Sequence, residues 1–326
     1  NKGADPVHNL TKDTYYNTIQ AALDDADSLG GDTIEVADGT YDESITFPSG
    51  KKVILQSVNG ASSTTIRGNN GSNTVILSGS LAGTTLEGFT ITHADGQIGR
   101  GIYIIDGNLT INNCTIFNNT ADYGGGIRND GHLTITASTI CYNSAADHCG
   151  GGIENCGSLT ITQSRISNNT ANYGGGIRNY NHLTITESRI FNNSAYSQGG
   201  GIYNDYDGLL TITASMISGN TADYGGGIYN KHNGSLTITA STICYNSAAD
   251  HCGGGICNDY DGLLTITGSM ISGNTADYGG GIYIYSYSVT IVVGGEGSAE
   301  KNTICGNYKS GYNPSLDQQI RDVSGS

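Results

Sequence analysis

From about residue 101 onward, aliphatic and polar positions alternate in short bursts, break, and alternate again. In Leu133-Thr134-Ile135-Thr136 the Leu and Ile share one side and the two Thr share the other. Ile140, Asn143 and then Gly150-Gly151-Gly152-Ile153 follow before the next burst. A period of two over a few residues, rich in Ile and Thr, predicts strands, and none of these segments carries the 3.6-residue period of a helix. The bursts recur. LTI or its variant begins at Leu109, Leu133, Leu159, Leu183, Leu210, Leu236, Leu264 and, as VTI, Val289, at intervals of 24, 26, 24, 27, 26, 28 and 25 residues. GGGI begins at Gly124, Gly150, Gly174, Gly199, Gly225, Gly253 and Gly279. Each unit thus reads LTIT-x-S-x-I-x-x-N, a turn, GGGIYN or a variant, and a second turn.

Three short strands in roughly 25 residues make one turn of a coil. Such a turn cannot stand alone. Four inward aliphatics such as Leu159, Ile161, Ile166 and Ile177 gain about 1.5–3 kcal/mol each on burial. Ordering the backbone costs about 1–2 kcal/mol per residue. Stacked turns share a continuous core and ladder hydrogen bonds, which closes the gap. Parallel crossovers are right-handed. The pattern predicts an all-β fold, a right-handed parallel β-helix of about 10–11 coils.

Three residues after the second inward Ile an Asn always stands: Asn119, Asn143, Asn169, Asn193, Asn220, Asn246, Asn274 and Asn307. Its fixed register predicts an asparagine ladder of stacked amides. The glycine triplet marks a corner that needs positive φ or close backbone approach. The first hundred residues differ. Tyr16 to Leu29 places Ile19, Leu23, Ala26 and Leu29 on one helical face, with Gly30-Gly31 as a stop. A cap helix over an exposed sheet end fits that position. The expected organisation is a single domain, residues 1–326, with a cap helix in 1–30, irregular coils in 31–100, regular coils in 101–305 and a tail in 306–326.

The segment NTIQAALDDADSLGGDTIEVADGTYDESI resembles the N-terminal cap and first coil of pectin-lyase-like β-helix proteins. FNNTADYGGGIRN and SGNTADYGGGIYN are similar to the repeats of polymorphic outer-membrane and related bacterial and archaeal surface proteins, some of which form sheaths or envelope layers. The resemblance covers nearly the whole chain and implies the fold and a cell-surface location. It implies no single activity, since that fold hosts lyases, hydrolases, epimerases, adhesins and coat proteins.

Composition narrows the partners. The net charge is −15 with only 14 Lys and Arg, which argues against nucleic acid and against anionic membrane surfaces. No apolar run reaches the about 18–20 residues that span a bilayer. Eight cysteines without a CxxC pair, and eight Asn-x-Ser/Thr sequons, suit an oxidising, extracellular setting after export. No cofactor is expected.

Candidate chemistry is scattered. HADGQIGRG offers His93, Asp95 and Arg100 near the start of the regular coils; the resemblance gives a lyase Arg as base and Asp as calcium ligand. No second acidic cluster completes such a site. NDYDG, twice, offers Asp205/Asp207 and Asp259/Asp261, better read as polar turns than as calcium loops, which need six to eight oxygens. His132, His182 and His232 precede the LTI strand in alternate coils, about 9–10 Å apart, and read as solvated turn residues. The outward threonines form two files: Thr134/Thr136, Thr160/Thr162, Thr184/Thr186, Thr211/Thr213, Thr237/Thr239 and Thr265/Thr267. A flat Thr-x-Thr face is similar to that of some β-solenoid ice-binding proteins, and bulky replacements of Thr184 and Thr211 would abolish antifreeze activity on that reading. Tyr123, Tyr173, Tyr224 and Tyr278 before the glycines, with Tyr203, Tyr229 and Tyr283 after them, offer contact area to carbohydrate or protein.

LTITASTICYNSAADHCGGGI occurs identically at 133–153 and 236–256. Its longer loop is flanked by cysteines, so Cys141–Cys149 and Cys244–Cys252 are the expected disulfides. Cys141, His148 and Cys149 as metal ligands would need a fourth partner, and the copies lie too far apart to share an ion. No metal site is assigned. Cys114, Cys156, Cys257 and Cys305 are candidates for pairing between coils or between molecules. Together these features predict a secreted, non-enzymatic structural or adhesin-like envelope protein that associates with itself, with carbohydrate or ice as further partners. The alternatives are an ice-binding protein and a polysaccharide lyase or hydrolase.

Overall fold

The structure is a computed structural model and describes residues 6–27, 31–69, 71–94, 98–249, 251–259, 262–285, 291–293, 302–309 and 320–322. Asp95, Leu29, Val289 and Asp261 lie outside these residues. The chain winds as a right-handed parallel β-helix. A representative rung runs Ser158–Thr162, Arg165–Ser167, Thr170–Tyr173 and Ile177–Asn179, contributing one strand to each of four sheets. In the order the chain visits them, these first to fourth sheets have 13, 11, 7 and 11 strands. The third sheet was not expected. Its strands are as short as Thr221–Ala222 and carry too few residues to show a period.

Register is the organising fact. Leu133 pairs with Leu159, Leu159 with Leu183, and Leu183 with Leu210, so each Leu and Ile stacks on its own kind. Leu159, Ile161, Ile166 and Ile177 are all buried to within 1%. Ala171 joins them from the third sheet. At the last rung Leu264 pairs with Ile291, so the strand starts two residues later than the VTI match implied.

The asparagine ladder is present. Each Nδ2 donates to the next amide oxygen, as Asn169 to Asn193 at 3.0 Å and Asn193 to Asn220 at 3.0 Å, and also to the carbonyl of a core Ile. Each Oδ1 takes a backbone N–H as well, Asn169 N to Asn193 Oδ1 at 3.0 Å. The stack ends at Asn119, whose Oδ1 is buried without a partner; Ala94 stands at the corresponding place one rung earlier. Two more ladders were not foreseen. Asn129, Asn155, Asn179, Asn204, Asn230 and Asn258 close the fourth sheet with amide bonds of 2.7 Å. Ser138, Ser164, Ser188, Ser215, Ser241 and Ser269 line the corner between the first and second sheets, each Oγ accepting from the backbone N–H one rung earlier.

The triplet glycines are needed for two reasons. Gly174 has φ +65°, which side chains rarely adopt. A Cβ on Gly175 would sit 2.3 Å from the Ser194 carbonyl oxygen of the next rung.

The N-terminal cap departs from expectation. The helix is Ile19–Asp24, not residues 16–29. Thr18 caps it, and Glu43 accepts from the Ile19 and Gln20 N–H groups. Asp24, Asp25 and Asp27 then bring negative charge to the C-terminal end of the helix dipole, where it is unfavourable. Tyr16 belongs instead to an antiparallel hairpin, Val7–Asn9 and Thr14–Tyr16, laid along Asp32–Val36. That hairpin closes the sheet edge.

Candidate functional site

The middle residue of each fourth-sheet strand points away from the core. Down the stack that position reads Tyr103, Arg128, Glu154, Arg178, Tyr203, Tyr229, Cys257 and Tyr283. The corner before it reads Tyr123, Cys149, Tyr173, Gln198, Tyr224, Cys252 and Tyr278. The turn after it adds Asp130, Cys156, Tyr180, Asp205, Lys231 and Asp259. These three files make a charged, tyrosine-rich groove along the helix axis.

Opposite charges in it are paired. Arg128 reaches Glu154 at 2.9 Å and Asp130 at 3.2 Å. Arg178 reaches Asp205 at 3.1 Å, and His232 Nδ1 lies 2.8 Å from the same carboxylate. Glu154 and Asp205 side chains are only 3% and 2% exposed, so both carboxylates sit largely out of water. Burial pushes the Glu154 carboxyl up, against the pull of Arg128 and Arg178. Burial opposes the Arg128 cation, yet Asp130 and Glu154 hold it above the ordinary arginine value. Arg178 lies 4.3 Å from the Tyr180 ring centroid and 5.2 Å from that of Tyr203. One wall is a row of rings: Tyr180 on Tyr206 at 6.0 Å, and Tyr206 on His232 at 5.2 Å. Beside it opens a cavity of about 320 Å³ lined by Tyr173, Arg178, Tyr203, Asp205, Tyr206 and Lys231.

The expected sites are redistributed. His93 is buried at 3% exposure with Nδ1 against Thr74 at 2.9 Å, and burial pushes its pKa down. Arg100 instead donates to the Tyr123 carbonyl at 2.7 Å and lies over Tyr103, at the head of the groove. The structure therefore separates the two. His132 and His182 occupy the same strand position, but His232 does not: it lies in the turn before Ser235–Thr239 and turns to Asp205. The extra residues of that unit carry it there. Asp205 is spent on Arg178, His232 and the Tyr206 N–H, while Asp207 is exposed, so they do not converge as a calcium pair. Among the described residues no group of three or more His, Cys, Asp or Glu is placed to hold a metal ion. Of the tyrosines, Tyr203 and Tyr229 are 3% and 2% exposed and pack on each other, so they form the groove floor rather than a free face.

Both threonine files are in register over all six expected rungs, but they are not equally open. In the first file Thr184 and Thr211 are exposed, and Thr134, Thr160, Thr237 and Thr265 are half-buried. The second file, Thr136, Thr162, Thr186, Thr213, Thr239 and Thr267, is half-buried at every rung. That corrects the expectation of two matching outward files. The cause is the corner. Each second-file threonine ends its strand, and the next residue takes a left-handed turn, as Glu187 at φ +49°, Ala214 at φ +47° and Gly268 at φ +58°. The Thr186, Thr213 and Thr267 carbonyls then accept the Ser188, Ser215 and Ser269 hydroxyls at 2.7, 2.8 and 2.9 Å. Thr136, Thr162 and Thr239 do the same for Ser138, Ser164 and Ser241. The second file is thus the shoulder of the serine corner, and the first file alone carries exposed threonines.

All eight cysteines are free thiols. Cys141 and Cys149 lie in different sheets, opposite Ser167 and Tyr173, because the loop between them forms a third-sheet strand, Ser144–Cys149. Cys149 takes the Arg178 guanidinium. Cys244 lies opposite Ser272, whereas Cys252 meets Cys257. The expected tied loops are thus not what the fold brings together. Cys114 is 2% exposed, sits at the head of the serine ladder and donates to the Leu86 and Asn112 carbonyls; burial pushes its thiol up to about 12. That rules it out for pairing between molecules. Cys156 is half-buried beside the groove, its thiol pushed up to about 12 by burial and then by Glu154. Cys305 is exposed.

The model of the Chlamydia polymorphic membrane protein repeat matches residues 187–205, three of the four strands of one rung, with Tyr203 and Asp205 of the groove among them. The fold is a parallel β-helix, and one stretch of it is similar to a repeat of that type. No curated protein matches the chain. Among solved structures, the crystal structure of pectate lyase Pel9A aligns over 84% of this chain and 71% of its own, with 15% identity and a TM-score of 0.39.

Proposed function

We propose that this protein is a non-enzymatic cell-surface solenoid that binds an extended saccharide along the fourth-sheet groove. The match to a surface-protein repeat supports the location. The observation that carries the binding role is the row Tyr180, Tyr206 and His232 beside the cavity. The rings stack on one another at successive rungs and so present a row of edges and polar tips, with Tyr206 60% exposed, while the Arg178–Asp205 pair offers donors and acceptors fixed in place. The same pairing argues against catalysis. A general acid or base needs a carboxyl free to exchange a proton with substrate, and Glu154 and Asp205 are held by Arg128, Arg178 and His232. Self-association remains compatible with this role, because the groove occupies one face and Cys305 is exposed elsewhere.

Tyr206 is 60% exposed and supports no core contact, so its removal leaves the fold intact. Titration calorimetry against soluble polysaccharides is expected to show saturable binding that Tyr206→Ala weakens at least tenfold. Equal affinity in the variant removes the groove from the account.

A further inference from the structure

The two copies of the repeated 21-residue string end identically at Ile153 and Ile256, and the next residue differs. It is Glu154 in the first copy and Cys257 in the second. Together with the residue stacked on it one rung later, Arg178 in the first copy and Tyr283 in the second, that difference changes what the preceding cysteine meets. Cys149 faces Arg178. Cys252 Sγ lies 3.1 Å from Cys257 Sγ. Gly253, with φ +70°, makes this approach possible, since a Cβ there would fall 2.5 Å from the Cys257 Cβ. Both thiols are buried, at 7% and 1% exposure, in a small cluster with Tyr203 and Tyr229. The sulfurs stand about 1 Å beyond the roughly 2.05 Å of a disulfide bond, and rigid rungs above and below hold them there.

We propose that Cys252 and Cys257 form a redox-active pair that closes to a disulfide with a low-molecular-weight disulfide as oxidant. Cys252, the more accessible sulfur, attacks the small disulfide and releases one small thiol, leaving a mixed disulfide. Cys257 then attacks the Cys252 sulfur and releases the second small thiol. Two protein thiols are oxidised, and one small disulfide is reduced to two thiols. The bond pins the glycine corner between the third and fourth sheets, next to the tyrosines that floor the groove. It replaces the Cys244–Cys252 tie that loop length alone suggests.

The test incubates the full folded chain with a symmetric low-molecular-weight disulfide of a monothiol, then unfolds and alkylates it for intact-mass and fragmentation analysis. The expected result is alkylation at Cys114, Cys141, Cys149, Cys156 and Cys244, the small thiol carried as a mixed disulfide on the exposed Cys305, and a 2-Da loss mapped to residues 252–257. Cys244→Ser retains that loss. Cys257→Ser abolishes it and traps the small thiol on Cys252. Full alkylation of wild-type Cys252 and Cys257, or a bond that depends on Cys244, overturns the proposal; the wild-type map decides even if a variant folds poorly.

Discussion

Asn193→Leu is expected to lower the unfolding free energy by about 4 kcal/mol. The replaced amide is 1% exposed and sits mid-ladder. Removing it strands the Asn169 N–H and takes one of the two acceptors of Asn169 Nδ2, since both nitrogens donate to its Oδ1 at 3.0 Å, and leaves the Ile166 carbonyl without its 3.0 Å side-chain donor. Each buried polar group left unpaired costs about 1–3 kcal/mol. Leucine fills part of the volume but restores none of these bonds. Urea unfolding followed by circular dichroism reads the change, with Thr184→Ala on the exposed face as the control, expected to stay within about 0.5 kcal/mol of wild type. A leucine variant as stable as that control would show that the ladder ornaments the core and does not hold it.

The second large effect is expected at Arg128→Met. Glu154 then keeps its burial and loses its nearest cation, and removing one partner of a buried pair costs about 3–5 kcal/mol. The lower end applies here because the Arg128 side chain is 25% exposed. The effect depends on pH with a definite sign. Glu154 in the folded protein is raised above the ordinary glutamate value by burial. Its stabilising contribution is fully present below the unfolded pKa of about 4.3 and is lost as pH rises through the folded value. Without Arg128 the folded value rises further, so the deficit is largest at neutral pH and shrinks towards pH 4. Unfolding curves at pH 4 and pH 7 measure both. A deficit that grows on acidification contradicts the assignment of Glu154 as the stranded charge.

The fold could be seen in the sequence because two signals repeat in phase: aliphatic alternation and an Asn at one corner. Stacking identical residues is the only arrangement that uses both, and Leu133 over Leu159 over Leu183 is the outcome. The serine and second asparagine ladders recur in the same phase, at LTIT-x-Ser and Ile-x-Asn. They were harder to see because Ser and Asn also serve generically in turns. The threonines show why alternation alone misjudges exposure. Thr184 and Thr186 share one side of their strand, yet only Thr184 is exposed, because the corner begins at Glu187. The short helix shows a different limit. Ile19, Leu23 and Ala26 are buried as the pattern required, but Thr18 and the trailing aspartates set the ends.

The groove was nearly invisible. Its ion pairs join residues 26 or 27 positions apart, Arg128 to Glu154 and Arg178 to Asp205, and the repeat length varies between 24 and 28. The signal lay in the one variable letter of Ile-x-Asn, which changes from Arg to Glu to Tyr to Cys down the stack. Invariant letters built the scaffold. The variable column built the surface that distinguishes this chain from a plain solenoid. The cysteines followed the same logic, since the loop around Cys141 and Cys149 gave no hint that Cys257 waits across the glycine corner from Cys252.

Prolonged incubation of the chain with each polysaccharide it binds, with and without added calcium, tests the central claim most directly when the products are weighed by mass spectrometry. Saturable binding, loss of affinity in Tyr206→Ala and unchanged polymer length are the predicted result. Shortened or unsaturated products that disappear in Arg100→Ala or Arg178→Ala would contradict it and make the groove an active site.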